Sequence, residues 1–361
     1  MLEQRRRRTG ACVATGVALA VIVSGCGSGA GSAGGGREDR LVVAAVGSQL
    51  GTAYKQILQD FGRERGVKVT YFESSVPTTL TKLGAQVPAG KVQFDVAMLN
   101  DQAGAEAKVR RLTQPLDPAK VPNLKLLPDY AKPASIDGPL TALSLLGIAY
   151  SPKQFRANDW APPTRWEDFT DPKYGNCVIP PDPVNAGSGV VALALVNKAL
   201  GGDYGAIDAT VERLRPSAKK VPAVTGNLAQ TLQMMSQGTA CMGLGTQGVA
   251  LEARAEGTDL AFVAPKGNSA VGLPLVVPKG AAHPNLAQDF INYVLGAKAQ
   301  QVIVDRALWA PVRPGVKGTV PLAGEIIGPD RFADHDVRPI PPTVFADTAG
   351  WGRKFSELFG R

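Results

Sequence analysis

The sequence predicts an α/β fold divided into two domains. Apolar, strand-like runs alternate with amphipathic helical stretches, which is the pattern of βαβ units around a largely parallel sheet. The alternation breaks at the long apolar stretch Leu140 to Tyr150 and then starts again. A chain of 361 residues also exceeds what one core fills, since single cores stop growing near roughly 250 to 300 residues.

The elements follow in order. Leu41 to Val46 reads as a first strand, the turn Gly47 to Gly51 follows, and Tyr54, Ile57, Leu58 and Phe61 recur at helical spacing behind it. Val67 to Phe72 is a second strand, Thr78 to Gln86 a helix and Phe94 to Leu99 a third strand. Beyond Tyr150 come strand Cys177 to Ile179, helix Gly189 to Leu200, strand Val221 to Val224, helix Asn227 to Gln237 and strand Ala240 to Leu244. Leu273 to Val277 is a further strand, Pro284 to Leu295 shows one apolar helical face, and a short helix ends near the carboxyl terminus.

The amino terminus reads as an export address, residues 1–25. Arg5 to Arg8 form a basic region, Ala11 to Val23 an apolar run of 13 residues, and Val23-Ser24-Gly25-Cys26 resembles a bacterial lipobox, in which Cys26 carries the lipid. Residues 26–40 are then a lipidated cysteine and a tether, because Gly27 to Gly36 is almost entirely Gly, Ser and Ala. Such a tether reaches roughly 20 Å. The expected location is outside the cytoplasm, on the cell membrane. No apolar run reaches the roughly 18 residues that span a bilayer.

Charge and cysteine content narrow the class. Removing residues 1–25 takes four Arg and one Glu, so the formal charge falls from +8 to +5, with no basic cluster of the kind that binds nucleic acid. Cys177 and Cys241 are the thiols left in a compartment where disulfides persist. Adjacent parallel strands would let them pair; otherwise they are two buried thiols.

In open α/β sheets ligands bind beyond the carboxyl ends of strands, where loops lead into helix N-termini. Those loops here are 47–52, 73–78, 100–102, 182–189, 225–227 and 245–248, and nearly all are rich in Gly, Ser, Thr, Asn or Gln. The ligand-binding candidates are Ser48, Gln49, Glu73, Ser74, Ser75, Asn100, Tyr150, Asp182, Asn185, Ser188, Asn227, Thr246 and Gln247. Backbone amides and neutral side chains of this kind hold a ligand, and the same residue types also serve as N-caps and turn formers. Glu73 and Asp182 are the acids placed for a cleft.

Catalytic and cofactor patterns do not assemble. Gly243 to Gly248 spells G-x-G-x-x-G, but the acidic residue expected at the end of the next strand sits instead at its start, as Asp259. There is no Gly-x-Ser-x-Gly elbow, Walker loop or His-Glu-x-x-His, and Asp334-His335-Asp336 reads as a solvated turn before a metal site. No catalytic residue, metal or cofactor is assigned.

The chain resembles the extracellular solute-binding proteins of ABC importers, of the type that includes spermidine/putrescine, ferric-iron and 2-aminoethylphosphonate binders. The resemblance covers most of residues 41–310. It rests on Phe94-Asp95-Val96, on Leu146-Gly147-Ile148-Ala149-Tyr150-Ser151-Pro152, on Trp166 to Gly175, and on Ala287 to Leu295 followed by Gln300. It implies a two-lobed type II periplasmic-binding protein fold with a ligand cleft between the lobes. One lobe would comprise residues 41–145 and 271–361, the other 146–270. It also implies a monomer without enzymatic activity that passes a small solute to a membrane permease. A sensor or an exported enzyme on the same scaffold is the alternative.

The family's ligand residues carry over poorly. The loop 47–52 has neither the carboxylate nor the aromatic ring of polyamine sites, and no Tyr-Tyr pair of the ferric-iron type occurs. The amide-rich loops favour a phosphonate-like or other small oxyanion, with Glu73 or Asp182 for an amine, ahead of a polyamine.

Overall fold

The structure, a computed structural model, describes residues 39–183, 187–225 and 228–360. Cys26 and its lipobox, Asn185 and Asn227 lie outside the described residues.

The first half is laid down as three βα units: β1 (Arg40–Ala45), α1 (Ser48–Arg65), β2 (Lys68–Glu73), α2 (Val76–Gln86), β3 (Val96–Met98) and α3 (Asp101–Val109). α1 forms where the periodicity places it. Leu50, Ala53, Tyr54, Ile57, Leu58 and Phe61 make one buried stripe, and Gly66 ends the helix at φ 65°, a left-handed turn that glycine adopts without a Cβ clash. Gly51 is fixed by a close approach, because a Cβ there would lie 2.2 Å from the Val46 carbonyl oxygen. The start of α1 is thereby pressed onto the end of β1.

The short strand β4 (Thr113–Gln114) leads to β5 (Leu140–Tyr150), α4 (Pro152–Ala157), β6 (Val178–Ile179), α5 (Gly187–Ala199), α6 (Asp208–Leu214) and α7 (Leu228–Ser236). Then follow β7 (Met242–Thr246), α8 (Gln247–Ala255), β8 (Ala261–Val263), β9 (Ala270–Pro278), α9 (Pro284–Val294), α10 (Ala297–Ala307) and α11 (Thr348–Phe359). Val221 to Val224 is not a strand. Pro222 sits inside that apolar run and cannot donate to a ladder, which overrides its strand-like composition.

The strand order is β2-β1-β3-β9-β5-β7-β6, with β4 beside β9 and β8 beside β5. β1 is parallel to β2 and β3, while β9 runs antiparallel to β3. Two long strands carry the chain from one half to the other. Residues 140–145 of β5 pair with β9, and residues 146–150 pair with β7, so its partner changes between Leu145 and Leu146. β6 and β7 are parallel neighbours, and Cys177 and Cys241 just ahead of them form a disulfide with Cα atoms 5.0 Å apart.

The apolar side chains separate in the same way. One core joins Leu41, Ile57, Phe61 and Val96 to Phe290 and Ile303, and another joins Leu146, Trp166, Phe169 and Val178 to Met242. α11 contradicts the grouping of residues 271–361 with the first half. Its Trp351 and Phe355 are buried against Val190, Leu193, Ile207 and Leu214, because an amphipathic terminal helix docks wherever an apolar face is left uncovered.

Candidate functional site

Five helices, α1, α2, α3, α5 and α8, follow the carboxyl ends of strands that have a parallel neighbour, and two of these starts meet. Gly187 opens α5, in the half built on β5 to β8, and a Cβ at this residue would lie 3.2 Å from Asn100 Nδ2 and 3.5 Å from Gln102 Oε1. Asn100 and Gln102 flank the first residue of α3, in the half built on β1 to β4. The N-terminal ends of α3 and α5 therefore face one another across the junction of the halves. The positive ends of two helix dipoles converge there.

The predicted residues divide by how the fold uses them. Asn100 caps α3, its Oδ1 accepting the Ala103 N–H at 2.8 Å, and Ser75 caps α2, its hydroxyl accepting from the Thr78 N–H. Both are capping residues, and of the two Asn100 is the one that approaches Gly187. Ser74 is buried and donates its N–H to the Ala45 carbonyl, tying the end of β2 to β1. Ser48 and Gln49 are exposed at the start of α1. Ser48 has φ 73°, a left-handed conformation costing a non-glycine residue on the order of 1 kcal/mol.

The two acids singled out from sequence are differently placed. Glu73 is exposed and ion-paired with Lys55 at 2.8 Å. Asp182 is buried directly beneath the first turn of α5, where a Cβ on Gly189 would fall 2.0 Å from its carbonyl oxygen. Ser188 is half-buried on that same turn.

Thr246 and Gln247 lie where β7 runs into α8. Gln247 is committed to the fold: its Nε2 donates to the Glu325 carbonyl at 3.2 Å and its Oε1 accepts the Ile327 N–H at 3.0 Å. Thr246 stands at the N-cap position without capping, and its Oγ1 is buried with no hydrogen-bond partner. Tyr150 is not brought to this site. It pairs with Met242, at the opposite end of β7 from Thr246, and its ring packs edge-on to Phe155 with centroids 4.9 Å apart. Burial raises its phenol above the usual range.

Asp101 was passed over in the sequence although it lies inside a named loop. It is the first residue of α3, and its Oδ2 accepts the N–H of Gly272 on β9 at 2.9 Å. Burial pushes its carboxyl up to about 6, against the smaller opposing effect of that hydrogen bond. The available signal was the lone acid immediately after an N-cap asparagine. Among the described residues, no group of three His, Cys, Asp or Glu side chains converges as a metal site.

The profile of the bacterial extracellular solute-binding proteins matches residues 56–323, well over half of the chain. The chain belongs to this family. Solved structures agree with the fold of the solute-binding protein. An extracellular solute-binding protein of Bordetella parapertussis superposes with a TM-score of 0.73 at 20% identity, covering 90% of this chain and 98% of the other. The spermidine/putrescine transporter substrate-binding protein PotD of Streptococcus pneumoniae gives 0.69 at 18% identity, covering 89% and 97%. The iron-bound HitA of Pseudomonas aeruginosa gives 0.70 at 17%, covering 88% and 99%. A search by sequence among curated proteins finds no match. The solute-binding protein thus has the two-lobed fold with a cleft between lobes, and no helix among its described residues is long and apolar enough to cross a membrane.

Proposed function

We propose that this solute-binding protein captures a small polar solute, an aminophosphonate or related oxyanion or a polyamine, between its lobes and delivers it to an ABC-type permease. Residues 41–145 form most of one lobe and 146–270 most of the other. The observation that carries the reading is the meeting of the α3 and α5 N-termini at Gly187, Asn100 and Gln102. A solute bridging the two ends satisfies donors from both lobes at once, so binding and closure are coupled. The protein works as a monomer without turnover, and Cys26, once lipidated, holds it at the outer face of the cell membrane. Its structural neighbours include proteins described as binders of spermidine/putrescine and iron, which supports a transport role without fixing the solute.

Thermal unfolding of residues 37–361 with added polyamines, phosphonates and phosphate esters tests the proposal. A solute present at about 100 times its Kd stabilises the native state by about 2.7 kcal/mol, an easily read rise in midpoint. Small-angle scattering should show the same solute reducing the radius of gyration. A solute that raises the midpoint with no compaction would argue against capture by closure.

A further inference from the structure

We infer that the solute carries a positively charged nitrogen, which docks on Asp101 where α3 meets the crossing strand β9. The inference rests on the capture reading above and narrows it to a class of solute. Asp101 Oδ2 is held by the Gly272 N–H at 2.9 Å, while Oδ1 has no hydrogen-bond partner among the described residues. Gly272 pairs with Leu143 of β5, so the carboxylate is fastened to the strands that join the lobes. The residues on either side of it, Asn100 and Gln102, are those that approach Gly187 of the opposite lobe. The carboxylate thus sits one residue away from both side chains that approach the opposite lobe.

Asp101 also lacks a countercharge. Other acids of the same lobe are ion-paired: Glu73 with Lys55 at 2.8 Å and Asp137 with Lys108 at 3.0 Å. Asp101 has no Lys, Arg or His within ion-pair distance among the described residues, although burial has already stripped part of its hydration and raised its carboxyl to about 6. At neutral pH it is mostly ionised and uncompensated. The α3 dipole gives a first-turn acid some support, typically smaller than the desolvation cost of a charge.

An ammonium or guanidinium group supplies the missing charge and donors together. A metal ion would need several oxygen ligands, and a single carboxylate beside amide side chains does not supply them. An ammonium needs few acceptors, and Oδ1 of Asp101 is one that the fold leaves open.

Isothermal titration with matched pairs tests the inference: 2-aminoethylphosphonate against ethylphosphonate, 4-aminobutanoate against butanoate, and spermidine alone. Each is run on the wild-type protein, Asp101→Asn and Asp101→Glu. A hydrogen bond to a charged group changes binding by about 10- to 100-fold. The amine member of a pair should bind the wild type that much more tightly, Asp101→Asn should erase the preference, and Asp101→Glu should restore part of it. Circular dichroism and thermal midpoints show whether the variants are folded. An amine-free partner that binds as tightly as its amine, a preference that survives in Asp101→Asn, or a panel in which no amine binds overturns the inference. If an amine-free solute still binds with compaction, capture by closure stands and only the cationic class falls. If no solute of any class binds, the capture reading falls as well.

Discussion

Asp101→Asn should make the solute-free protein more stable at neutral pH. The asparagine keeps an oxygen for the Gly272 N–H and removes the charge, which has no cation beside it. A carboxyl raised from the ordinary 3.8 to about 6 carries a charge penalty of about 3 kcal/mol at most, at about 1.4 kcal/mol per pH unit. The substitution weakens a charge-assisted hydrogen bond, so the expected gain is about 1 to 2 kcal/mol at pH 7.5. Because the folded-state carboxyl is raised above its unfolded value, the wild type is relieved as pH falls through 6 and fully so below 3.8. The difference between the two proteins should therefore be largest above pH 7 and vanish near pH 4. Urea unfolding followed by tryptophan fluorescence at pH 7.5, 5.5 and 4 measures it. A variant that is less stable at pH 7.5, or a difference independent of pH, would refute the account of Asp101 as a desolvated and unpaired charge.

Three further outcomes follow from the fold. Replacing both Cys177 and Cys241 by Ala removes a cross-link spanning 64 residues, whose loop-closure entropy corresponds to about 4 kcal/mol; a loss below about 1 kcal/mol in guanidinium unfolding would contradict it. Gln300 is fully buried and bonds the Thr141 and Val294 carbonyls and the Val312 N–H, so Gln300→Leu should cost about 3 kcal/mol or more in thermal unfolding, and a near-neutral effect would mean that water reaches those groups. Burial and Glu256 push the Glu252 carboxyl up to about 7, and its Oε1 is buried without a partner; Glu252→Gln should stabilise by about 2 kcal/mol at pH 8.5 and by nothing below pH 4.5, and a pH-independent effect measured by urea unfolding would contradict this.

Local signals in the sequence recovered the elements and not their partners. β1 and α1 were legible because Leu41 to Val46 is an apolar run and Tyr54, Ile57, Leu58 and Phe61 repeat at helical spacing. The neighbouring of Cys177 and Cys241 was legible as a possibility, since each precedes a short apolar run, and the parallel pairing of β6 with β7 realises it. Val221 to Val224 was misread because the weight of its apolar residues masked Pro222. Glu73 looked available only because Lys55 is 18 residues away, and Gln247 only because its partners are near residue 326. Tyr150 was counted among the candidates, yet an 11-residue strand puts its two ends far apart. Asp101 shows the converse. An acid in the first turn of a helix reads as a dipole complement, and whether it has a cation is decided by parts of the chain remote in sequence.

Selectivity in a closed cleft then depends on which polar groups the fold leaves unsatisfied. Gln247, Gln300 and Asp95 are saturated by internal bonds and hold the lobes in shape. Asp101 Oδ1 on one lobe and Thr246 Oγ1 on the other are among the groups left without a partner, and Ser144 of β5 accepts the N–H of Gly248, in the first turn of α8 behind Thr246, at 2.9 Å. A solute that closes the cleft without meeting such groups leaves each unpaired, at about 1 to 3 kcal/mol apiece. Thr246→Val separates this role from a packing role, because valine nearly matches threonine in shape and lacks the hydroxyl. In the solute-free protein, removing an orphaned hydroxyl should be neutral or stabilising by about 1 kcal/mol in urea unfolding. If Oγ1 meets the solute, the same variant should bind it about 10-fold more weakly, so stability and affinity move in opposite directions. A variant that loses stability and affinity together would instead make Thr246 a structural residue and leave Asp101 alone as the group that reads the solute.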